Sequence, residues 1–403
     1  MNLSEPIAAL EIGTSRTVIA MGEPAPNNHI RVTAISDIPS AGVRKGQIVD
    51  VPQARYSLES VIKRLADQNG YSVGQACLAV SGTHIQTSPV NVQLPIERGI
   101  VRDEDINQAI DASYDPNLPH ERTPLELSKI DFGLDDMDHI ASPRGMSGHL
   151  LKLHSLCIHA STQRIKDAKN VALAAKLEID ENDIFFSGDC AATAVLSPQM
   201  KREGAVVIDL GGGTTSFTVW SEGTLVQAGV IGVGGDHVTQ DIRQAFALTA
   251  IQADQVKLNS ASCLVGADDT LQRITIPAST PGFKAPTISR RALNTVVNAR
   301  MQELFTIIRT KLDDENRLHS LHAGVFLTGG GALLNNVVPL ATSIFGCRVS
   351  VGTLVPEIEG LEQAEHPILY ATVAGLLLKA RGISTSHSVV DSFKNLFGGL
   401  FRK

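Results

Sequence analysis

At 403 residues, 43% of them hydrophobic and 19% charged, the chain has enough apolar material for a large core spread over two or more domains, which excludes a disordered polymer. A net charge of −7 and an aromatic share of 4% argue against nucleic acid as a partner, because both a cationic footprint and a base-stacking surface are wanting. Five scattered cysteines (Cys77, Cys157, Cys190, Cys263, Cys347) with no C-x-x-C pair predict free thiols in a reducing compartment. The sequence shows no N-terminal charged and apolar leader and no long apolar run, so the expected location is the cytoplasm.

Strands are predicted over 7–12, 16–22 and 29–37. The first carries Glu11 near its end, the turn after it is Gly13-Thr14-Ser15, and Asn27-Asn28 turns into the third. A helix over 51–69 follows, with Leu58, Val61, Ile62 and Leu65 on one face and Gly70 as its stop, then a strand through Ala76–Val80. From 82 to 160 the pattern changes. Val101 to Ile106 opens a helix with acids in its first turn, where they suit the helix dipole. Residues 114–148 are rich in Pro, Asp and Gly and are read as loop, and a strand over 149–158 closes a small α+β insertion. Helix 162–177 resumes the first half.

The second half repeats the scheme, with strands at 204–210, 214–220 and 224–230 and a helix near 236–247, so the chain is read as a duplicated β-β-β-α unit. Residues 249–312 are more helical. Ser289 is placed to cap a long helix carrying Leu293, Val296, Val297, Met301, Leu304, Phe305 and Ile308 at three-and-four spacing. A strand ending in Thr328-Gly329-Gly330-Gly331 precedes another helix, and the last helix of the fold lies near 367–381.

The chemistry concentrates in three glycine turns. Ala205-Val206-Val207-Ile208-Asp209-Leu210-Gly211-Gly212-Gly213-Thr214-Thr215 reads as a buried strand, one aspartate, and a glycine turn edged with hydroxyls. Such a turn lets backbone N–H groups approach an anion, and an aspartate at the strand end can hold a divalent cation, usually through water. A Walker loop or a dinucleotide fingerprint would lead into a helix, whereas β-branched and aromatic residues follow here. One such turn alone could be an ordinary hairpin. Three in this order, at 11–14, 209–214 and 328–331, describe two related halves closing on one nucleotide, the first two turns facing its phosphates and the third its base and sugar.

Two other clusters are set aside. His139, His149, His154 and His159 do not form a metal site: His149 and His159 share a strand face but stand roughly 33 Å apart at ~3.3 Å per residue, and His154 points the other way. The acidic run Asp131, Asp135, Asp136 and Asp138 lacks binding-loop spacing and reads as solvated loop.

The order of these turns resembles the nucleotide fold of actin, Hsp70 and the sugar kinases. Within it the chain is similar to the FtsA family, bacterial actin-like cell-division proteins that tie FtsZ filaments to the membrane. The residues that carry the likeness are Leu10-Glu11-Ile12-Gly13-Thr14, Ala79-Val80-Ser81-Gly82-Thr83-His84-Ile85, Gly145-Met146-Ser147-Gly148, Gly234-Gly235-Asp236-His237-Val238-Thr239-Gln240-Asp241-Ile242, Arg300-Met301-Gln302-Glu303-Leu304 and the amphipathic C-terminus. The resemblance implies an α/β architecture: a duplicated ribonuclease-H-like fold of two lobes around a nucleotide cleft. It divides the chain into a first core subdomain at 1–81, 161–192 and a closing helix at 366–381, with an inserted subdomain at 82–160. A second core at 193–225 and 319–365 carries a helical subdomain at 226–318. ATP with Mg2+ is expected in the cleft. Gly13, Thr14 and Arg16 would face phosphates from one side and Gly211, Gly212, Gly213 and Thr214 from the other. Glu11 and Asp209 would hold hydrated magnesium, Asp254 and Lys257 would reach ribose and base, and Gly329, Gly330 and Gly331 would back the adenosine. The link Ser187-Gly188-Asp189 lacks the Glu-Pro of relatives, which leaves the water-orienting group unassigned and makes weak ATPase activity at most the expectation.

The C-terminal stretch after a linker at 382–387 reads SVVDSFKNLFGGLFRK. Val389, Val390, Phe393, Leu396, Phe397, Leu400 and Phe401 fall on one helical face beside Lys394, Arg402 and Lys403, the composition of an interfacial membrane helix. Short and broken by Gly398-Gly399, it should bind weakly alone, but linking many copies on a filament raises avidity by roughly 10²–10⁴. The implied partners are the FtsZ C-terminal tail, further copies of the chain in a filament, lipid of the cytoplasmic membrane, and other divisome proteins through 82–160, at the septum. The FtsZ tail would dock on the helical subdomain, at Arg300 and Glu303 with Arg290 and Arg291 adding charge. Arg300 interrupts an apolar stripe, which suggests an exposed edge; the alternative is a pair with Glu303 along the helix, worth only ~0.2–0.5 kcal/mol. Two other functions compete: an ATP-driven enzyme such as a sugar kinase or chaperone, disfavoured by the membrane tail and by the lack of a substrate domain after 381, and a pilus or secretion adaptor of the PilM type.

Overall fold

The computed structural model describes residues 6–70, 72–113, 118–140, 142–277, 285–313 and 321–385. Its organising device is an antiparallel meander used twice. In the first lobe β1 (Ile7–Ile12), β2 (Arg16–Ala25) and β3 (His29–Pro39) pair in sequence. A small hairpin, β4 (Val43–Arg44) and β5 (Gln47–Ile48), leads to α1 (Val51–Asn69). Asp50 caps α1 by accepting the Gln53 N–H, and Gly70 ends it at φ 70°, a left-handed conformation that glycine adopts without strain. Strand β6 (Cys77–Val80) then returns parallel to β1.

The insertion follows as β7 (Gln86–Pro95), α2 (Asp103–Ser113), β8 (Arg122–Leu134), β9 (Met137–Ile140) and β10 (Leu150–Ser161), a sheet ordered β7-β10-β8-β9 around Ile96, Val101, Ala109, Phe132, Leu151 and Leu153. The expectation of loop over 114–148 is therefore wrong. Strand β8 is thirteen residues long, and its signal is hidden by Pro124, by polar residues between its apolar ones, and by register shifts against β10.

Helix α3 (Thr162–Ala174), shorter than the expected 162–177, returns to the first lobe, where β11 (Ile184–Phe186) lies parallel to β6. Helices α4 (Ser187–Val195) and α5 (Pro198–Glu203) lead across. The second lobe repeats the meander with β12 (Ala205–Leu210), β13 (Thr215–Ser221) and β14 (Thr224–Ile231), followed by α6 (Gly235–Phe246), α7 (Ala250–Ser260), the hairpin β15 (Arg273–Thr275) and β16 (Thr287–Ser289), and α8 (Arg290–Asp313). Ser289 caps α8 as expected, accepting from the Ala292 N–H at 3.4 Å. Then β17 (Gly324–Thr328) runs parallel to β12, α9 (Val337–Phe345) follows, and β18 (Val349–Val351) runs parallel to β17.

The two sheets share one topology: β3-β2-β1-β6-β11 in the first lobe and β14-β13-β12-β17-β18 in the second. The first adds β19 (Ile358–Glu359) beside β3, before a short 3-10 turn and α10 (Ala371–Thr385). Helix α10 runs past Gly382, where the linker is expected to begin. The expected membrane helix at 388–403 lies outside the described residues. No helix among the described residues is long and apolar enough to cross a membrane.

Alternation along the central strands decides the packing. Ala8 and Leu10 of β1 face α1 through Leu58, Val61 and Leu65, whereas Ile7 and Ala9 face α4 and α10. In β12, Ala205 and Val207 face that same α4–α10 pair, while Val206, Ile208 and Leu210 face the helical part of the second lobe. The α4–α10 pair is thus packed against both sheets. The two helices approach so closely that a Cβ on Gly375 would sit 1.8 Å from the Cys190 carbonyl oxygen.

Candidate functional site

The two central hairpins meet at their tips. In the first, the Gly13 N–H donates to the Arg16 carbonyl at 3.0 Å; in the second, the Gly211 N–H donates to the Thr214 carbonyl at the same 3.0 Å. A Cβ on Gly13 would come within 2.8 Å of that carbonyl oxygen, and one on Gly211 within 2.9 Å, so both turns close tightly only around glycine. The tips also touch each other: a Cβ on Gly213 would lie 2.6 Å from Thr14 Oγ1, and one on Gly212 2.9 Å from Ser15 Cβ. The N-terminus of α6 is stitched to the second tip, with the Gly235 and Asp236 N–H groups donating to the Gly211 and Gly212 carbonyls at 2.9 and 2.8 Å. The third turn stands behind. Gly329, at φ 75°, presses on Asp209, where a Cβ would be 2.6 Å from Oδ1, whereas Gly330 borders open space.

These tips line a cleft of about 570 Å³ between the lobes. Every residue assigned from sequence to cofactor or metal lines it: Glu11, Gly13, Thr14, Arg16, Asp209, Gly211, Gly212, Gly213, Thr214, Asp254, Lys257, Gly329, Gly330 and Gly331. Lys257 Nζ lies 2.7 Å from Asp254 Oδ1 and donates to Thr239 Oγ1 at 2.8 Å, which fixes both groups on the rim. The Arg16 guanidinium is committed to Asp37 Oδ2 at 3.2 Å and the Leu369 carbonyl at 3.1 Å, over the Tyr370 ring.

Glu11 and Asp209 form the anionic floor. Burial, then the neighbouring Asp209, pushes the Glu11 carboxyl up to about 8, against a smaller opposing pull from Arg16. Burial likewise raises Asp209, although Thr328 Oγ1 donates to its Oδ1 at 3.0 Å. Among the described residues, no lysine or arginine forms an ion pair with either acid, and no group of three or more potential ligands gathers around a metal. Two half-buried carboxylates that form no ion pair with a lysine or arginine fit magnesium, which binds through one or two carboxylates, waters and substrate phosphates rather than an all-protein cage. Glu11 and Asp209 are the residues that would hold it.

The sequence reading gave no role to Asp236, Ser81, Ser187, Leu258 or Leu333, which also line the cleft. Asp236 belongs to a glycine motif noted only for its likeness, and the others carry no local pattern that marks them. Asp189 is turned away: its Oδ2 accepts from Lys379 Nζ, which also donates to Glu126.

The four residues assigned to a partner lie on or beside α8, apart from the cleft. Arg300 is not a free edge: its Nε and Nη2 clamp Asp241 of α6 at 2.6 and 3.1 Å, and Nη1 donates to Glu303. Arg290 donates to the Ser260 carbonyl and Arg291 to Thr270 Oγ1, both at 3.1 Å. Three of the four histidines have local side-chain partners, and the fourth, His149, meets Asp135 through its backbone N–H. His159 is held between Arg122 and Ser88, His139 meets Asp131, and His154 meets Asn91.

A family model described as "Cell division protein FtsA" matches residues 206–375, and one described as "SHS2 domain inserted in FTSA" matches 82–159. The Cell division protein FtsA of Pseudomonas aeruginosa is 30% identical, over 92% of this chain and 88% of that protein. Those of Bacillus subtilis and Escherichia coli K12 are each 27% identical, over 94% and 92% of this chain and 84% and 89% of theirs. Among solved structures, a PilM-PilN type IV pilus biogenesis complex superposes with a TM-score of 0.61 at 15% identity, covering 93% of this chain and 98% of that one. MreB5 of Spiroplasma citri bound to ADP gives 0.55 at 15% identity, covering 94% and 98%. At these identities the structural likeness establishes the actin-like fold, two lobes about a cleft with an inserted third sheet.

Proposed function

The chain belongs to the FtsA family of cell-division proteins, and on that premise we propose that it binds Mg-ATP in the cleft, self-assembles, and anchors FtsZ filaments to the cytoplasmic membrane. The observation that carries the nucleotide part is the meeting of two glycine tips over two half-buried carboxylates that form no ion pair with a lysine or arginine. Backbone N–H groups supply the phosphate cradle, and Glu11 and Asp209 supply the charge that a hydrated magnesium offsets. Likeness to a structure solved with AMPPNP, MreB 5 of Spiroplasma citri, is consistent with a nucleotide in this position. Asp254 and Lys257 would meet ribose and base, with the third glycine turn behind.

The attachment part rests on the apolar face at Val389, Val390, Phe393, Leu396, Phe397, Leu400 and Phe401, and the partner part on α8 with Arg290, Arg291, Arg300 and Glu303. The insertion at 82–160 would present a second surface to other divisome proteins. The test is flotation of FtsZ filaments with liposomes, with and without ATP. The full chain should carry FtsZ to the lipid. Deletion of 388–403 should abolish flotation while leaving ATP binding and melting temperature unchanged, and Phe393→Glu or Phe397→Glu should do nearly the same. A truncated chain that still floats would end the anchoring proposal. Turnover near ~1–100 s⁻¹, the range of ordinary kinases, would favour an enzyme instead.

A further inference from the structure

Strand β8 of the insertion is held by both lobes. At its start Thr123 Oγ1 lies 2.8 Å from Thr162 Oγ1 of α3, and the Thr162 N–H donates to the Glu121 carbonyl at 2.8 Å. Glu126 then accepts from Lys379 of α10. These contacts belong to the first lobe, and the last is charge-assisted, a class roughly twice as strong as a neutral hydrogen bond. Two residues on, the partner changes: Ser128 Oγ donates to the Leu225 carbonyl of β14, in the second lobe, at 2.8 Å. Thr87 Oγ1 of β7 approaches the Ala228 carbonyl at 3.5 Å. Strand β14 is an edge of the second sheet, and its Leu225 and Ala228 are buried in one apolar cluster with Leu58 of α1 and Ile158 of β10, against which Leu125 of β8 packs. The insertion therefore has a strong hold on the first lobe and a weaker, neutral seat on the second.

The same strand connects that seat to the cleft. Strand β14 pairs with β13 along its length. Just beyond it the Val233 carbonyl accepts from Thr215 Oγ1 at 2.8 Å, and the Gly235 and Asp236 N–H groups are bonded to the second glycine tip. A strand fixed at both ends of its ladder moves as a unit, so a shift at the seat is a shift at the tip. With the insertion seated, the tips of the two lobes touch, Gly213 against Thr14. A ligand contacted by both tips favours the arrangement in which they meet. We propose that the insertion is a clamp across the lobes: seated on β14 through Ser128, it holds the two glycine tips together, so that nucleotide binding and seating of the insertion favour each other. Linkage makes the coupling reciprocal. A protein partner that lifts the insertion from β14 lowers nucleotide affinity by the same factor by which nucleotide opposes the lifting.

This inference rests on the cleft taking Mg-ATP, and the experiment separates the two claims. Calorimetry on the full chain measures Mg-ATP affinity, and amide hydrogen exchange follows β7, β8 and β14 with and without Mg-ATP. Ser128→Asp sets a carboxylate against the Leu225 carbonyl and opens the seat, and Ser128→Ala only removes the donor. Ser155→Ala is the control, because Ser155 Oγ donates to the Ser128 carbonyl at 3.0 Å, a bond that stays inside the insertion. Without nucleotide, Ser128→Asp should exchange faster than wild type around Leu225, which tests the seat by itself. Mg-ATP affinity should fall about fivefold in Ser128→Asp, less in Ser128→Ala and not at all in Ser155→Ala. Mg-ATP should slow exchange in β7 and β8 of wild type roughly threefold or more, an effect that Ser128→Asp lacks. A wild type that binds Mg-ATP no more tightly than Ser128→Asp would overturn the clamp and leave the nucleotide reading standing. Equal losses in Ser128→Asp and Ser155→Ala would overturn it too, since the integrity of the insertion and not its seat would then be the cause. A wild type that does not bind Mg-ATP rejects both claims.

Discussion

The molecule sets two pairs of carboxylates in desolvated places and treats them in opposite ways. Glu126 of β8 and Asp189 of α4 share Lys379 of α10, which donates to both. Burial alone would raise Asp189, but Lys379 and its hydrogen bond hold it below the usual carboxylate range, while Glu126, pressed by burial and by Asp189, stays at about 7. Glu11 and Asp209, half-buried in the cleft, are paired with no such cation and are both raised. The first pair is neutralised from within and binds three regions together: the insertion, the helix at the lobe junction and the last helix. The second has its ionisation suppressed by desolvation and by mutual repulsion, and a cation arriving from outside would restore its charge. The difference separates structural charge from charge kept for a ligand.

The largest effect should come from breaking the first pair. Lys379→Met leaves two desolvated acids without the cation they share, with only a weaker pull from Lys201 on Asp189, and should lower unfolding free energy by about 3–5 kcal/mol. Asp209→Ala should do the reverse in kind, leaving the melting temperature of the nucleotide-free protein unchanged or raised while Mg-ATP affinity falls on the order of a hundredfold, about 2.7 kcal/mol. Urea titration and calorimetry on the two variants decide it. A Lys379→Met protein as stable as wild type, or an Asp209→Ala protein that keeps its Mg-ATP affinity, would dissolve the distinction.

A smaller effect concerns protons. The Glu126 carboxyl, at about 7 in the fold against 4.5 unfolded, holds a proton that the unfolded chain releases. Folding stability should therefore fall as pH rises from about 4.5 to 7, by on the order of 1–3 kcal/mol from this group. Glu126→Gln keeps an acceptor for Lys379 and removes the titration, so its stability should be flatter across that window. Parallel melting curves of the two proteins between those pH values would show that Glu126 does not titrate there.

The sequence exposes these two pairs unequally. Glu11 and Asp209 are legible because each sits in a local signature, a buried strand, an acid and a glycine turn, and because the signature occurs twice. The duplicated meander was read for the same reason: alternation and turn residues act over six to ten positions. Lys379, Asp189 and Glu126 stand 190 and 253 positions apart in the two contacts of Lys379, and no periodicity links them. Only the packing of α4 on α10, set by Gly375 against Cys190, brings them together. Strand β8 is hidden from a sequence reading because register shifts against β10 break its period.

Arg300 tests the comparison at its weakest point, a charge pair that is neither buried nor free. Its side chain is 24% exposed, and it is held by Asp241 at 27% and by Glu303 at 54%. Half-exposed pairs of this kind contribute little, so Arg300→Ala should cost only about 0.2–1 kcal/mol of stability. The proposed docking of an acidic FtsZ tail on α8 makes a sharper demand. If a peptide carboxylate takes the guanidinium, it must displace Asp241 from the clamp that now holds Nε and Nη2. Asp241→Asn weakens that clamp and keeps the shape, so it should raise peptide affinity, by roughly the two- to fivefold that a competing exposed ion pair is worth. Arg300→Ala should lower affinity about tenfold, the loss of one charge-assisted contact. Fluorescence polarisation of a labelled FtsZ tail against both variants reads this directly. Opposite shifts would make Asp241 the internal competitor of the peptide. Equal affinity in both variants would leave Arg300 a strut between α6 and α8 and place the FtsZ contact on another surface.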